Sequence, residues 1–241
     1  MHNDMFMRSH LLLGDAAMQR LQQARVLLVG VGGVGSWCAE SLVRTGIAHL
    51  TMADSDHICP SNVNRQLMAL SGNIGEPKVE AMRQRLLDIN PDADIHAMHA
   101  RYTEEDSHLF RIPDYDYVID AIDSLPDKAH LILTASACTT LFSSMGAARR
   151  TDPTKVEVSE FWKVTGDPLA RALRNRFRKQ HVFPEKKFCC VYSTEQALCN
   201  APLPNTENAN GSLSHVTGIF GLTLAGLVIE DIIRKTDTAV D

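Results

Sequence analysis

The sequence predicts an α/β fold, a mostly parallel sheet with helices on both of its faces. Three observations carry that reading. A short run rich in branched apolar residues, Arg25-Val26-Leu27-Leu28-Val29, leads straight into Gly30-Val31-Gly32-Gly33-Val34-Gly35-Ser36. A helical pattern follows, then a second apolar run, His49-Leu50-Thr51-Met52-Ala53, which stops at Asp54. A third run, Asp116-Tyr117-Val118-Ile119-Asp120-Ala121, is followed by Asp123. Short apolar strands alternating with helices are what a buried parallel sheet requires.

The first run is a buried strand, and the glycines are its exit turn. Gly30 permits the tight turn, Gly32 lets backbone approach a phosphate, and Gly35 lets the next helix pack close. From 34 to about 44 the pattern is helical, with Val34, Cys38, Leu42 and Val43 on one face. The start of that helix offers free N–H groups and the positive end of a dipole to an anion. The turn alone suits a nicotinamide dinucleotide, a flavin or a mononucleotide equally well. Asp54 ends the second strand about 20 residues beyond the glycines, where an acid bonds ribose hydroxyls. It would also serve as a helix cap or turn residue.

The stretch 56–75 is polar, with Pro60, Ser61, Asn62, Asn64, Gly72 and Asn73, and has little helical period. A dinucleotide fold would enter its next helix sooner, and long ordered loops at strand ends usually carry function. Arg65 and Gln66 lie inside this stretch, and Asp56 opens it. Lys78 starts the following helix after Pro77, a proline expected in the first turn. A lysine there opposes the helix dipole unless an anion faces it. A ligand would supply that anion; the alternative is that Arg65 and Lys78 are solvated surface charges. Asp120 and Asp123 follow the third strand, at the sheet edge where open α/β sheets bind ligands. Asp123 suits a Mg²⁺, which takes one or two protein carboxylates plus phosphate oxygens, or the cap of a helix expected from about Leu125. An arginine, a lysine and a spare carboxylate beside a glycine turn are tools for a triphosphate and its metal. Hydride transfer does not need them.

The 241 residues allow one large domain, and the net charge of −5 argues against strong non-specific binding of nucleic acid. The charge is uneven: from Arg149 to Lys187, eleven Lys and Arg face five Asp and Glu. A helix from Pro168 would turn Leu169, Leu173 and Phe177 inward and Arg171, Arg174 and Arg178 outward. That stripe suits a phosphate backbone or an ordinary solvated face. With Arg149 and Arg150 these form the candidate nucleic-acid contacts. His181 and Phe183 could stack on an unstacked base, while Tyr192 suits core packing. The six cysteines include no C-x-x-C pair, which counts against a zinc knuckle. Cys38 and Cys138 read as small core residues, and one of Cys189 and Cys190 should point inward from a strand. A thioester nucleophile stays open at Cys189, Cys190 or Cys199. No secretory leader is legible, and 216–229, although strongly apolar, is too short to span a bilayer. It reads as a buried terminal helix or a dimer face, and 202–214 as a flexible loop. A cytoplasmic protein without membrane attachment is expected.

The ordered set of Gly30 to Ser36, Asp54 with Asp56, Ser61-Asn62 with Arg65-Gln66, Pro77-Lys78, and Asp120 with Asp123 resembles the ThiF/MoeB superfamily. These are adenylating relatives of ubiquitin-activating enzymes. The resemblance implies a Rossmann-like ATP-binding sheet with an added antiparallel carboxyl-terminal part. It also implies that Asn62, Arg65 and Lys78 are ligands of the ATP phosphates and Asp123 that of Mg²⁺. Arg8, six residues before Gly14, resembles an arginine that such homodimers insert into the partner's nucleotide site. Downstream, Met145-Gly146-Ala147-Ala148-Arg149-Arg150-Thr151-Asp152-Pro153, Gly166-Asp167-Pro168-Leu169 and Val191-Tyr192-Ser193-Thr194-Glu195 resemble the bacterial tRNA threonylcarbamoyladenosine dehydratases. Ser124, where carrier-protein activators have Asn, agrees with that branch; the loop 198–214 matches nothing recognisable. The implied layout is one domain over 1–241: an arm and helix (1–24), a nucleotide-binding core (25–145), and a tRNA-facing, dimer-supporting part (146–241). The implied reaction is ATP-dependent cyclisation of threonylcarbamoyladenosine beside the anticodon, by adenylation of its carboxylate. The rival is an activator of a ubiquitin-like sulfur carrier, with sulfur-transfer proteins as partners; a non-catalytic or redox dinucleotide binder is disfavoured by Arg65, Lys78 and Asp123.

Overall fold

The computed structural model describes residues 4–201 and 210–237. Most of the loop expected at 202–214 therefore lies outside the described residues. The strands are β1 (Arg25–Val29), β2 (His49–Ala53), β3 (Asp94–Met98), β4 (Tyr117–Asp120), β5 (Thr140–Ser144), β6 (Val156–Glu160) and β7 (Cys189–Ser193). They form one sheet in the order β3-β2-β1-β4-β5-β7-β6. Every neighbouring pair is parallel except β6 with β7. From β1 the chain moves outward through β2 and β3, then returns to place β4 on β1's other side. That reversal leaves a crevice beyond the carboxyl ends of β1 and β4, where such sheets take their ligands.

The helices are α1 (Met7–Gln23), α2 (Gly35–Thr45), α3 (Lys78–Ile89), α4 (Leu125–Cys138), α5 (Pro168–Gln180) and α6 (Ser214–Asp237). Strand alternation divides the core between the sheet's two faces. Val26 and Leu28 join Leu21 of α1, Leu42 of α2, Met82 of α3 and Phe220 of α6 in one cluster. Leu27 and Val29 join Leu131 of α4 and Leu173 and Phe177 of α5 in the other. The helix α6 lies on α2 so closely that a Cβ at Gly221 would stand 2.3 Å from the Val34 carbonyl oxygen. Glu40 of α2 ties that layer to α3, accepting from Arg44 at 2.8 Å and from Arg85 Nη2 at 3.2 Å.

Several local expectations need correction. The apolar stretch at 216–229 is part of a longer helix, and Ser214–Thr236 is long and apolar enough to cross a membrane by length and composition. Half of its most apolar 18-residue stretch is buried inside the fold, against α2 and the sheet. Pro77 is the residue before α3, with ψ of 130°, not a first-turn residue; proline favours an extended ψ at this entry, and Lys78 begins the helix. Cys138 is exposed, because it closes α4 on the outward side, while Cys38 is buried. The strands β3, β5 and β6 were not anticipated.

Candidate functional site

A cavity of about 790 Å³ opens beyond the carboxyl ends of β1, β2, β4 and β5. Its floor is the glycine turn. Gly30 has φ of 95°, and a Cβ there would meet the Ala121 carbonyl oxygen at 2.6 Å. The turn therefore presses against the end of β4, which brings the loop carrying Asp123 beside it. Gly32 and Gly33 line the cavity, whereas Gly35 does not: a Cβ on it would stand 1.9 Å from the Gly30 carbonyl oxygen. Ser36 is also withdrawn. Its hydroxyl donates to the Gly32 carbonyl at 2.7 Å and accepts from the Leu67 N–H at 3.1 Å. Gly35 thus lets α2 pack close, as expected, and Ser36, grouped with the turn among the nucleotide-binding candidates, ties it to the 62–67 loop.

The other nucleotide candidates converge. Asp54, Asp56, Asn62, Arg65, Gln66, Lys78 and Asp123 line the same cavity. Asp54 is aimed by backbone, one oxygen accepting from the Val31 N–H at 2.7 Å and the other from the Asp56 N–H at 2.9 Å. Asn62 accepts the Cys59 N–H at 2.9 Å, which fixes the turn entering the loop. Lys78 is buried, and its anion comes from the protein: Nζ bonds Asp56 Oδ2 at 2.6 Å. The solvated-charge alternative fails for Lys78. Arg65 Nη1 donates to the Ser61 carbonyl at 2.8 Å and to Asn64 Oδ1 at 3.0 Å, and pairs with no carboxylate among the described residues. Gln66 Oε1 is buried without a hydrogen-bond partner among the described residues.

Asp123 is exposed in the cavity wall and caps nothing: Ser124 precedes α4, without a side-chain cap bond. Asp120 plays a different part. It is fully buried, paired at 2.8 Å with the equally buried Lys128 and accepting from Ser143 Oγ at 2.7 Å. Together they grip the residue before Asp123: Asp120 Oδ1 accepts the Ile122 N–H at 3.1 Å, and Lys128 Nζ donates to the Ile122 carbonyl at 3.0 Å. Asp123 thus stands on a backbone segment held from both sides by a buried ion pair. Arg101, in the same wall, forks onto Asp127 through Nε at 3.0 Å and Nη2 at 2.7 Å.

The far half of the cavity is built by the loop after β5 and the start of α5. Asp167 is buried; it accepts the Ala170 N–H at 2.8 Å, capping α5, and the Gly146 N–H at 3.1 Å. The Asp-Pro pair ahead of an amphipathic segment was the sequence signal for that cap, but the link to Gly146 had none. Arg149 is exposed at the mouth, with φ of 59°. Arg150 is 2% exposed and lines the cavity, so it is not the outward contact expected of it. Of the α5 arginines, Arg171 and Arg178 are exposed, Arg178 lying 5.8 Å over the Trp162 ring. Arg174 is partly withdrawn: Nη1 donates to the Phe161 carbonyl at 3.0 Å, and its guanidinium rests over that ring. None of these three lines the cavity. Arg8 is exposed on α1 and does not reach its own chain's cavity. Tyr192 is buried, its hydroxyl donating to Glu157 at 3.0 Å.

Cys189 and Cys190 are poorly set for nucleophilic work. Burial pushes the Cys189 thiol up, and pushes Cys190 well above the ordinary thiol range. Neither is therefore held as a thiolate. No group of three or more metal-binding side chains occurs among the described residues.

The ThiF family model matches residues 6–240. The chain is 34% identical to the tRNA threonylcarbamoyladenosine dehydratase of Bacillus subtilis, over 96% of both proteins. A crystal structure of the Escherichia coli enzyme of that activity, in complex with AMP, superposes with a TM-score of 0.90 at 34% identity, covering 98% of this chain and 96% of that one. Its ATP complex superposes with a TM-score of 0.88 at 33% identity, with the same coverage. With a matched domain of nearly the whole length and relatives of this likeness, the chain belongs to the ThiF family, alongside its tRNA threonylcarbamoyladenosine dehydratases.

Proposed function

We infer that this protein dehydrates threonylcarbamoyladenosine in tRNA, next to the anticodon, at the expense of ATP. One observation carries the reading: a phosphate-type glycine turn shares a single cavity with Arg65, Lys78 and Asp123. Likeness to the dehydratases over nearly the whole chain supports the choice of substrate.

The chemistry starts from a carboxylate, which is a poor electrophile. Its oxygen attacks the α-phosphorus of ATP, pyrophosphate leaves, and a mixed anhydride with AMP results. A nitrogen of the substrate's own carbamoyl group then forms a bond to the activated carbonyl. The carbonyl–O bond to AMP breaks, and the nitrogen's proton passes to solvent. The carboxylate oxygen departs on AMP, so the nucleoside loses one water. Because nucleophile and electrophile belong to one residue, ring closure gains the advantage of proximity. No enzyme thiol is needed, in keeping with the raised Cys189 and Cys190.

In this scheme Asp54 receives the ribose hydroxyls with a carboxylate already oriented by two N–H groups. Gly32 and Gly33 allow phosphate to approach backbone. Asn62 and Gln66 complete the polar lining, Gln66 with an acceptor that a nucleotide donor can satisfy. Arg65, which has no carboxylate partner among the described residues, and Lys78 stabilise charge on the departing pyrophosphate. A Mg²⁺ on Asp123 would neutralise phosphate oxygens when bound. Arg149, Arg171 and Arg178 supply exposed charge for the tRNA backbone, with Arg174 partly committed to Phe161. On α1, Arg8 sits near Leu11 and Leu12, which are 80% and 83% exposed. A second copy covering them would form a homodimer and carry Arg8 toward the neighbouring nucleotide site. A cytoplasmic setting suits a tRNA substrate. The test is AMP release from ATP: it should require tRNA carrying the modified nucleoside and vanish in Asp123→Ala and Arg65→Ala variants that remain folded. Undiminished release by either variant would refute the site assignment.

A further inference from the structure

Arg150 carries a buried charge that the nucleotide chemistry leaves unused. It lies on the loop leaving β5, in the half of the cavity away from the glycine turn. Its Nε and Nη1 are buried and have no hydrogen-bond partner among the described residues. The other buried cations of the region are matched, Lys78 by Asp56 and Lys128 by Asp120. Glu195 senses the Arg150 charge, yet its oxygens serve other donors: the Thr151 N–H at 2.9 Å, the Thr151 hydroxyl at 2.9 Å and the Asp152 N–H at 3.0 Å.

Backbone, not a side-chain partner, puts the guanidinium there. Arg149 is one of the few non-glycine residues with positive φ, and its N–H and carbonyl are held by Gly211 at 2.8 Å and Leu198 at 2.9 Å. The turn sends Arg149 outward and Arg150 inward. A buried, unpartnered guanidinium is costly to a folded chain. A protein keeps such a group where an anion completes it.

We propose that Arg150 receives the carboxylate of the acyl substrate, the threonyl carboxylate in the reading above, on which this inference rests. A planar guanidinium grips a carboxylate through two parallel N–H bonds, a geometry lysine lacks. The carboxylate must also approach a triphosphate of the same sign, and a cation on its side of the cavity offsets that repulsion. The nucleotide half and the acyl half of the cavity then have separate cationic receptors.

The test compares wild type with Arg150→Gln and Arg150→Lys. Binding of tRNA with threonylcarbamoyladenosine and of the same tRNA with plain adenosine is measured beside a non-hydrolysable ATP analogue. Wild type should prefer the modified tRNA, and Arg150→Gln should lower that preference by about 10- to 100-fold, the range for hydrogen bonds to charged groups. Arg150→Lys should recover only part. Affinity for the ATP analogue should not change. The melting temperature of Arg150→Gln should hold or rise, because an unpartnered buried charge is removed; a purely structural arginine would lower it. An unchanged preference in Arg150→Gln, or weakened binding of the ATP analogue with the preference intact, would overturn the proposal while leaving the proposed function standing. Wild type that converts no nucleoside would remove the functional reading, and this inference with it.

Discussion

Replacing Lys128 by Met tests the foundation under Asp123. Lys128 and Asp120 are both fully buried and 2.8 Å apart, so removing the ammonium strands a carboxylate inside the core. Breaking one side of such a pair costs about 3–5 kcal/mol. For a domain of this size that should lower the melting temperature by roughly 6–20 °C. Ser143 and the Ile122 N–H still face Asp120, which places the loss toward the lower part of that range. Adding Asp120→Asn removes the stranded charge and should return most of the stability. Turnover should not return with it, because the Ile122 carbonyl still lacks the donor that holds the Asp123 segment. Thermal unfolding and AMP release, measured on wild type and the single and double variants, separate the two effects. A Lys128→Met protein that melts like wild type, or a double variant that recovers full turnover, would rule out this role for the Asp120–Lys128 pair.

Glycine substitutions should divide sharply. Gly35→Ala should unfold the nucleotide turn or abolish ATP binding, since its Cβ would overlap the Gly30 carbonyl, whereas Gly72, with nothing within 4 Å, should tolerate Ala with a melting temperature within a few degrees of wild type. Glu40 gives a pH dependence. Burial raises its carboxyl, but hydrogen bonds from Arg85 and Arg44 outweigh that and hold it below the ordinary carboxylate value. Stability from this clamp is therefore present above the unfolded-state pKa and lost as pH falls through the lower folded value. Melting curves of wild type and Glu40→Gln should differ at neutral pH and converge in acid; a constant gap would count against the clamp.

The nucleotide half of the site was legible because each part has a local signature. The glycines must follow a strand, an acid must end the next one, an arginine sits in a long polar loop, and a lysine opens the following helix against its dipole. Strands β1 and β2 were equally plain, since four of five residues in each are buried. The strand β3 buries only Ile95 well, and β6 alternates Val with Glu at an edge, so neither shows an apolar run. The strand β5 ends in two buried serines, one of which is explained only by Asp120, 23 residues earlier in the chain. The same holds for function. That Asp120 is a buried anchor and Asp123 the exposed carboxylate depends on Lys128 reaching back from α4. That Arg150 turns inward while Arg149 turns outward depends on a positive φ that no residue type announced. Long-range pairing and single backbone angles leave little trace in periodicity or composition.

The decisive measurement is mass analysis of nucleosides after incubating the protein with Mg-ATP and tRNA bearing uncyclised threonylcarbamoyladenosine. That nucleoside should lose one water in an ATP-dependent manner. An unchanged nucleoside, with ATP still consumed, would contradict it and point to another carboxylate as the substrate.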